Sequence, residues 1–378
     1  MRDLRRKGGH KMSTHAAIHQ AKVIGFVNTC TSWGGGEKWH FETAQFCHNQ
    51  GYSVIFFCRP GSEIESRLIK ANIPTRPLTI SNLSFLNLTK MVLLARQFKH
   101  LGITTLLLNT PADTKLAAPA AAMAGVSNII FRRGMPHRIK RNWLNCYLFE
   151  RCIHRVIANS EAVKASLSDR CGGIVPDRNI TVVENGVKLD TTMIDAPPIY
   201  AKQAREIVLS TAGRMVKQKN QLALLAMAEK LKMKGINFVL LIAGAGELKQ
   251  KLTEEVLQRG LNDCVRFTGF VTQMPLLFKS TDIFVFPSLY EGCPNTLIEA
   301  AAASKAIVAY DIPPHRELLP DDKYGRLVPL NDIDGLVSAV SELASSAEIR
   351  EKMGWMAKLR VSTHYNLDKA RKKLLALI

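Results

Sequence analysis

The chain has 378 residues, 47% of them apolar and 22% charged, a balance that excludes a disordered, collagen-like or low-complexity protein. That length accommodates about two domains, each large enough to bury its own core. The net charge is +19, and residues 1–190 carry +14 of it (26 basic against 12 acidic side chains), so the partner of the first half is expected to be anionic: nucleic acid, a membrane surface or a phosphorylated substrate.

Residues 1–20 read as a basic extension. Met12 serves as well as Met1 for a start, and Val23–Val27 is too short for a signal-peptide core. From there short β-rich runs alternate with helical patterns, as parallel α/β units require. The predicted strands of the first half are Lys22–Val27, Ser53–Cys58, Thr104–Asn109, Asn128–Phe131, Val156–Asn159 and Thr181–Val183. Helices are predicted at Glu37–Asn49 and Leu88–His100. The longest charge-free stretch, Leu116 to Phe131, is interrupted by Pro119, Gly125, Ser127 and Asn128, so no membrane span is expected. Residues 191–206, with Asp195 and Pro197-Pro198, lack periodicity and read as a linker; Leu189–Arg205 is the natural hinge. The pattern restarts with strands at Ile207–Ala212, Asn237–Ala243, Val265–Thr268, Ile283–Pro287 and Ala306–Tyr310.

Asp332-x-Asp334 opens a helix predicted at Gly335–Leu343, so it reads as a cap rather than a metal site. The eight cysteines form no C-x-x-C pair, which supports neither a zinc site nor a disulfide framework; they are expected to stay reduced, as in a cytosol. The architecture predicted is α/β, with two doubly wound parallel-sheet domains at 1–190 and 207–360. They face a central crevice outside the carboxyl ends of their strands, where such sheets bind ligands. A helical segment at 361–378 follows.

Three loops carry chemistry. After the strand at Ile283–Pro287 comes Ser288-Leu-Tyr-Glu291-Gly-Cys-Pro294-Asn295-Thr296-Leu297-Ile-Glu299. Pro294 suits the start of a helix, and Asn295 is the expected cap. The free N–H groups of that first turn form a site for phosphate or carboxylate, flanked by Glu291 and Glu299. One carboxylate can hold ribose hydroxyls and the other can accept from sugar hydroxyls; alternatively both are solvated acids that complement the helix dipole. Gly213-Arg214-Met-Val-Lys-Gln-Lys219, after Ala212, suits a diphosphate, or is a polar loop with exposed lysines. Trp33-Gly34-Gly35-Gly36-Glu37-Lys38 permits close backbone approach to a ligand, or is merely a flexible turn; it is not a G-x-G-x-x-G fingerprint. Gly244-Ala-Gly246-Glu247 is a weaker version of the same theme.

Together and in this order, Gly34-Gly35-Gly36-Glu37, Glu184-Asn185-Gly186-Val187, Gly213-Arg214 with Lys219, Gly244-x-Gly246 and Glu291-x7-Glu299 resemble the retaining glycosyltransferases of family four, over about Lys22 to Leu375. The resemblance implies the GT-B fold of two facing Rossmann-like domains, an N-terminal one for acceptor and a C-terminal one for donor, with the last helix crossing back onto the first domain. It implies that Arg214 and Lys219 neutralise the donor diphosphate and support its departure. Glu291 contacts the transferred sugar or its leaving phosphate, and Glu299 holds the ribose. Gly213 and Gly244 belong to the donor loops, amides around Pro294, Asn295, Thr296 and Leu297 cap the diphosphate, and Gly35 and Gly36 close over it. The leaving phosphate itself serves as base, so no carboxylate pair at glycosidase spacing is needed. The donor expected is a nucleoside-diphosphate sugar, UDP first, with neither cofactor nor metal.

The chain departs from the family where relatives carry histidines: Asn109 stands in one strand, and Arg132-Arg133-Gly134-Met-Pro-His137 follows another. The usual Asn-Gly-Val-Asp reads Asn185-Gly-Val-Lys188. Glu37, Asn109, Arg132, Arg133 and His137 are therefore the acceptor-side candidates, the arginines either binding an anionic group or forming a solvated basic loop. Arg138, Lys140, Arg141, Trp143, Tyr147, Leu148 and Arg151 suit a basic helix on an anionic bilayer, or the apolar three face the core. The leading expectation is a cytoplasmic transferase, peripheral on the inner face of an anionic membrane, acting on an anionic or lipid-linked glycan such as lipopolysaccharide core. A nucleotide-sugar epimerase or hydrolase of the same fold is the alternative. A basic nucleic-acid-binding protein is the rival from another class, but no helix-turn-helix, RNP or zinc-finger pattern supports it, so no nucleic acid is expected as partner.

Overall fold

A computed structural model describes residues 22–188 and 196–378. The predicted basic extension at 1–20 and residues 189–195, which include the start of the predicted linker at 191–206, lie outside the described residues. Seven strands form the first sheet: β1 Val23–Asn28, β2 Ser53–Cys58, β3 Thr75–Pro77, β4 Ile103–Leu108, β5 Asn128–Arg133, β6 Arg155–Ala158 and β7 Ile180–Val182. Six form the second: β8 Ile207–Ala212, β9 Phe238–Ala243, β10 Val265–Gly269, β11 Ile283–Phe286, β12 Ala306–Tyr310 and β13 Arg326–Val328. Every pairing is parallel, in the orders 3-2-1-4-5-6-7 and 10-9-8-11-12-13. Each order reverses beside its first strand, between β1 and β4 and between β8 and β11, which opens a ligand crevice at the carboxyl ends.

The strands that read most clearly in the sequence are buried on both faces. β9 is buried along its whole length, because helices cover a parallel sheet from either side. The two strands the sequence analysis missed, β3 and β13, have three residues each and lie at the sheet edges. Their Arg76, Pro77 and Arg326 give no apolar run to read. The first helix starts at Gly35, two residues before the predicted Glu37, because Gly34 adopts the extended cap conformation and the glycines enter the first turn. Asp332 caps its helix as expected, its carboxylate accepting from the Gly335 N–H at 2.8 Å.

The last helix, Leu367–Leu375, packs on the first sheet. Leu374 and Ile378 are buried in one cluster with Ile24, Phe26 and Leu107. Asn128 Nδ2 donates to the Leu377 carbonyl at 2.7 Å, and Lys373 pairs with Glu184 at 2.8 Å. The crossing passes so close to Gly186 that a Cβ there would lie 2.3 Å from Leu367 Cα. Leu374→Ala is expected to lower stability by about 2–4 kcal/mol, read as the urea unfolding midpoint. The exposed Lys372→Ala should change it by no more than about 0.5 kcal/mol.

Candidate functional site

Residues that follow β1, β5 and β7 meet residues that follow β8 and β11. On the second-domain side, Lys219 ends a short turn at Lys217–Lys219, and its ammonium reaches Glu291 Oε1 at 2.5 Å. The ammonium also lies 4.7 Å from the Phe286 ring centre, and Glu291 is buried. Gly213 leaves room for the lysine stem, since a Cβ there would stand 3.2 Å from Lys219 Cε. The loops after β8 and β9 touch backbone to backbone. A Cβ on Gly244 would lie 1.9 Å from the Gly213 carbonyl oxygen, and one on Gly246 would lie 2.5 Å from that of Met215. Arg214 is exposed. Behind the pair, His315 is buried against Phe286 with Nδ1 on the Tyr310 carbonyl at 2.7 Å; burial pushes its pKa down to about 4, so it stays neutral.

The helix Asn295–Ala302 opens into the crevice with no side-chain cap on its first turn. This corrects the expectation for Asn295. Pro294 holds the cap position, and the Asn295 side chain instead accepts from Asn185 Nδ2 of the first domain at 2.7 Å. The amides available to an anion narrow to those of Asn295 and Thr296, because Pro294 has no N–H and the Leu297 N–H is spent on the Pro294 carbonyl at 3.0 Å. One turn on, Glu299 stands 4.0 Å from Lys38 of the helix Gly35–Asn49. Burial raises the Glu299 pKa, Lys38 opposes that shift and Glu42 adds to it.

On the first-domain side, Gly35 faces this helix start: a Cβ on it would lie 3.7 Å from Asn295 Nδ2. Arg132 at the end of β5 is only 4% exposed. Its guanidinium spans Asn109 Oδ1 at 3.3 Å and Asn185 Oδ1 at 3.4 Å, and sits 4.6 Å from the Trp39 ring centre. Beneath it His40 is fully buried and pushed down to about 3, by burial first and by Arg132 second. Arg133 is differently employed. It donates to the carbonyls of Met135 at 3.2 Å and His137 at 3.0 Å, and so folds its own loop rather than facing the crevice. That loop places the His137 ring 5.3 Å from the Tyr290 ring of the second domain. Glu37 is half-buried in the first turn of its helix, beside the crevice.

Other residues at the seam escaped the sequence reading. Glu317 reaches across to accept from the N–H groups of Glu161 at 3.0 Å and Ala162 at 2.7 Å, capping a first-domain helix with a second-domain carboxylate. Asp113 accepts from Thr29 Oγ1 at 2.5 Å and Thr29 N at 3.1 Å, and so fixes the loop that leads to Gly34. Asp113 had a signal, since it stands two residues after a Thr-Pro helix start; Glu317 had none. A cavity of about 700 Å³ lies between the Gly35–Asn49 helix, residues 183–188 and the Asn295–Ala302 helix, with Lys38, Glu42, Glu184, Glu299 and Arg371 in its walls. In the basic segment Trp143 is 77% and Tyr147 45% exposed, whereas Leu148 is buried, so only the leucine faces the core.

The raised Glu299 pKa is testable without any substrate. The folded carboxyl binds its proton more tightly than the unfolded chain does, so this group alone makes stability fall as pH rises between its unfolded and folded values. Carbon-13 NMR of labelled glutamates should show Glu299 titrating above the ordinary 4.5. Lys38→Ala should move that midpoint further up and Glu42→Gln should move it down; opposite movements would overturn the assignment of causes.

Comparison with known proteins fits this geometry. Residues 194–360 match the family Glycosyl transferases group 1, and residues 33–191 match Glycosyltransferase Family 4. A glycosyltransferase designated EpsF from Bacillus subtilis is 31% identical over 221 residues, 54% of this chain and 56% of that protein. An Escherichia coli protein named UDP-Gal:alpha-D-GlcNAc-diphosphoundecaprenol alpha-1,3-galactosyltransferase is 29% identical over 178 residues, 44% of this chain and 45% of its own. The matched stretch thus spans about half the length of each relative. The structure of Anabaena HepE, solved in complex with UDP and glucose, superposes with a TM-score of 0.77 over 94% of this chain and 98% of that one, at 17% identity, a likeness of fold. The chain belongs to the group 1 glycosyltransferases and has their two-domain GT-B fold.

Proposed function

We propose that this glycosyltransferase moves a hexose or related sugar from a nucleoside-diphosphate sugar, UDP first among donors, to a hydroxyl of an anionic or lipid-linked envelope glycan, with retention of configuration. The observation that carries the reading is the buried Lys219–Glu291 pair beside the uncapped start of the Asn295–Ala302 helix, with Gly35 opposite. In this reading the free amides of Asn295 and Thr296 take the diphosphate, and Arg214 and Lys219 offset its charge. Glu291, oriented by Lys219, accepts from a sugar hydroxyl, and Glu299 accepts from the ribose hydroxyls. The acceptor hydroxyl attacks the anomeric carbon on the face the phosphate leaves, and its proton ends on the departing phosphate oxygen.

A relative named for a UDP-sugar and a diphosphoundecaprenol acceptor supports the lipid-linked class. Exposed surface supports it too. The helix Pro111–Met123 packs on both the turn at Ser84–Leu86 and the segment Leu148–Cys152, and Leu83, Leu86, Trp143 and Tyr147, in or next to those segments in the chain, are exposed. With Lys115, Arg138, Lys140 and Arg141 nearby in the chain, this surface suits the anionic inner face of a membrane. Among the described residues no helix is long and apolar enough to cross one.

Thermal-shift titration against UDP-, GDP- and ADP-sugars should stabilise the wild type with one donor class, and Lys219→Ala should abolish the shift. Lys219→Ala and Glu299→Ala are each expected to lower turnover by about 100-fold or more, against less than about threefold for Cys293→Ala. Equal losses in all three variants, or no donor-dependent shift in the wild type, would overturn the reading. Trp143→Ala with Tyr147→Ala should release the protein from phosphatidylglycerol vesicles in a sedimentation assay while leaving its melting temperature unchanged; unaltered sedimentation would remove the membrane surface from the proposal.

A further inference from the structure

Arg132 is a buried cation with no carboxylate in contact, Glu37 acting on it only from further off. Among the described residues no carboxylate pairs with it, and its Nε has no hydrogen-bond partner. Two amide oxygens at 3.3 and 3.4 Å and the face of Trp39 are what it has in place of water. Burial lowers its pKa to about 10, still charged at neutral pH. A guanidinium held this way lacks an oxyanion.

Its surroundings say where that oxyanion comes from. Asn185, which accepts from Arg132, donates in turn to Asn295 at the open helix start, so a single amide side chain separates the guanidinium from that anion site. On the other side a Cβ at Gly134 would fall 2.9 Å from Arg132 Nη1, and one at Gly36 would fall 3.9 Å from it. Two glycines thus clear space around the same nitrogen. Gly134 in turn abuts Gly292, the residue after Glu291. Arg132 therefore lies beside the loop from Glu291 to Asn295, the loop read above as holding the sugar and its phosphate. Across the crevice Lys219 is paired with Glu291, so one of the two second-domain cations read above as facing the diphosphate already has a carboxylate partner.

We propose that Arg132 is the first domain's share of the donor's anion site: its guanidinium binds the sugar-bearing phosphate and stabilises it as leaving group. The inference rests on the donor reading above and moves Arg132 from the acceptor side to the reacting atoms. As the bond between the anomeric carbon and the phosphate oxygen breaks, its electron pair stays on that oxygen. The acceptor oxygen takes the anomeric carbon, its proton passes to the phosphate, and Arg132 offsets the charge that accumulates there. Because this cation belongs to the other domain, leaving-group stabilisation is complete only with the crevice closed. Asn109 is then a positioning residue that holds one arm of the fork.

The test compares binding of uridine, UMP and UDP by calorimetry, with GDP and ADP alongside, in the wild type and in Arg132→Ala, Arg132→Gln and Arg132→Lys. Arg132→Ala should weaken UDP by about tenfold or more, leave uridine and UMP within about twofold, and lower kcat by about 100-fold with acceptor KM unchanged. Arg132→Lys, which keeps the charge without the fork, should fall between, and it carries the same comparison with Arg132→Gln if the alanine variant does not fold. Asn109→Ala should lower kcat while leaving UDP affinity within a few-fold. Unchanged UDP affinity with an acceptor KM raised about tenfold would overturn the proposal in favour of an acceptor anion. Loss confined to donors whose sugar bears a carboxylate would overturn it in favour of that group. If the wild type binds none of the three diphosphates, the donor reading fails first and this inference with it.

Discussion

Two domains can share one site only if their backbones come within reach of a single substrate, and here glycine sets that distance. At the seam a Cβ on Gly292 would lie 1.7 Å from the Gly134 carbonyl oxygen, so any side chain would hold the domains apart. Gly186 plays the same part where the chain returns at Leu367, and Gly244 where the loops after β8 and β9 meet. From these approaches follow the Asn185–Asn295 hydrogen bond, the Lys38–Glu299 pair and the Glu317 cap on the helix at Glu161–Leu167. None of them could form across a gap a side chain wider.

The close seam also fixes the electrostatics. Arg132 and Glu291 are buried and the Lys219 side chain is only 17% exposed, so charge there is expensive unless matched. Lys219 and Glu291 match each other, and Arg132 has only amide oxygens and an aromatic face. The two buried histidines near these charges, His40 and His315, are held neutral by the same desolvation. A site that holds fixed cations in a dry crevice is suited to a reaction in which negative charge builds on a leaving group. The basic side chains of the first half include the interior Arg132 and the exposed group around Trp143.

Local sequence specified local structure well. β2, β8 and β12 coincide with their predicted runs because strands covered from both sides are short, mostly apolar runs rich in β-branched and aromatic residues. Asp332 was legible as a cap because capping depends on residues three positions apart. The edge strands β3 and β13 were not legible, because three residues with arginine and proline carry no period. Arg133 reads identically to Arg132 in the sequence, yet one folds its own loop and the other enters the crevice, since alternate residues of a strand point to opposite faces and the loop that follows turns back on only one of them.

The order of motifs along the chain, each built from a handful of neighbours, was enough to name the family and the two-sheet architecture. Partnership across the crevice was not. That Asn295 serves Asn185 rather than its own helix, that Glu317 caps a helix 155 residues away, and that Arg132 has no carboxylate are outcomes of packing between domains. Sequence encodes what a residue can do with its neighbours in the chain. Which charge is left without a partner depends on distances between segments far apart in the chain, and only the folded pair of domains sets those.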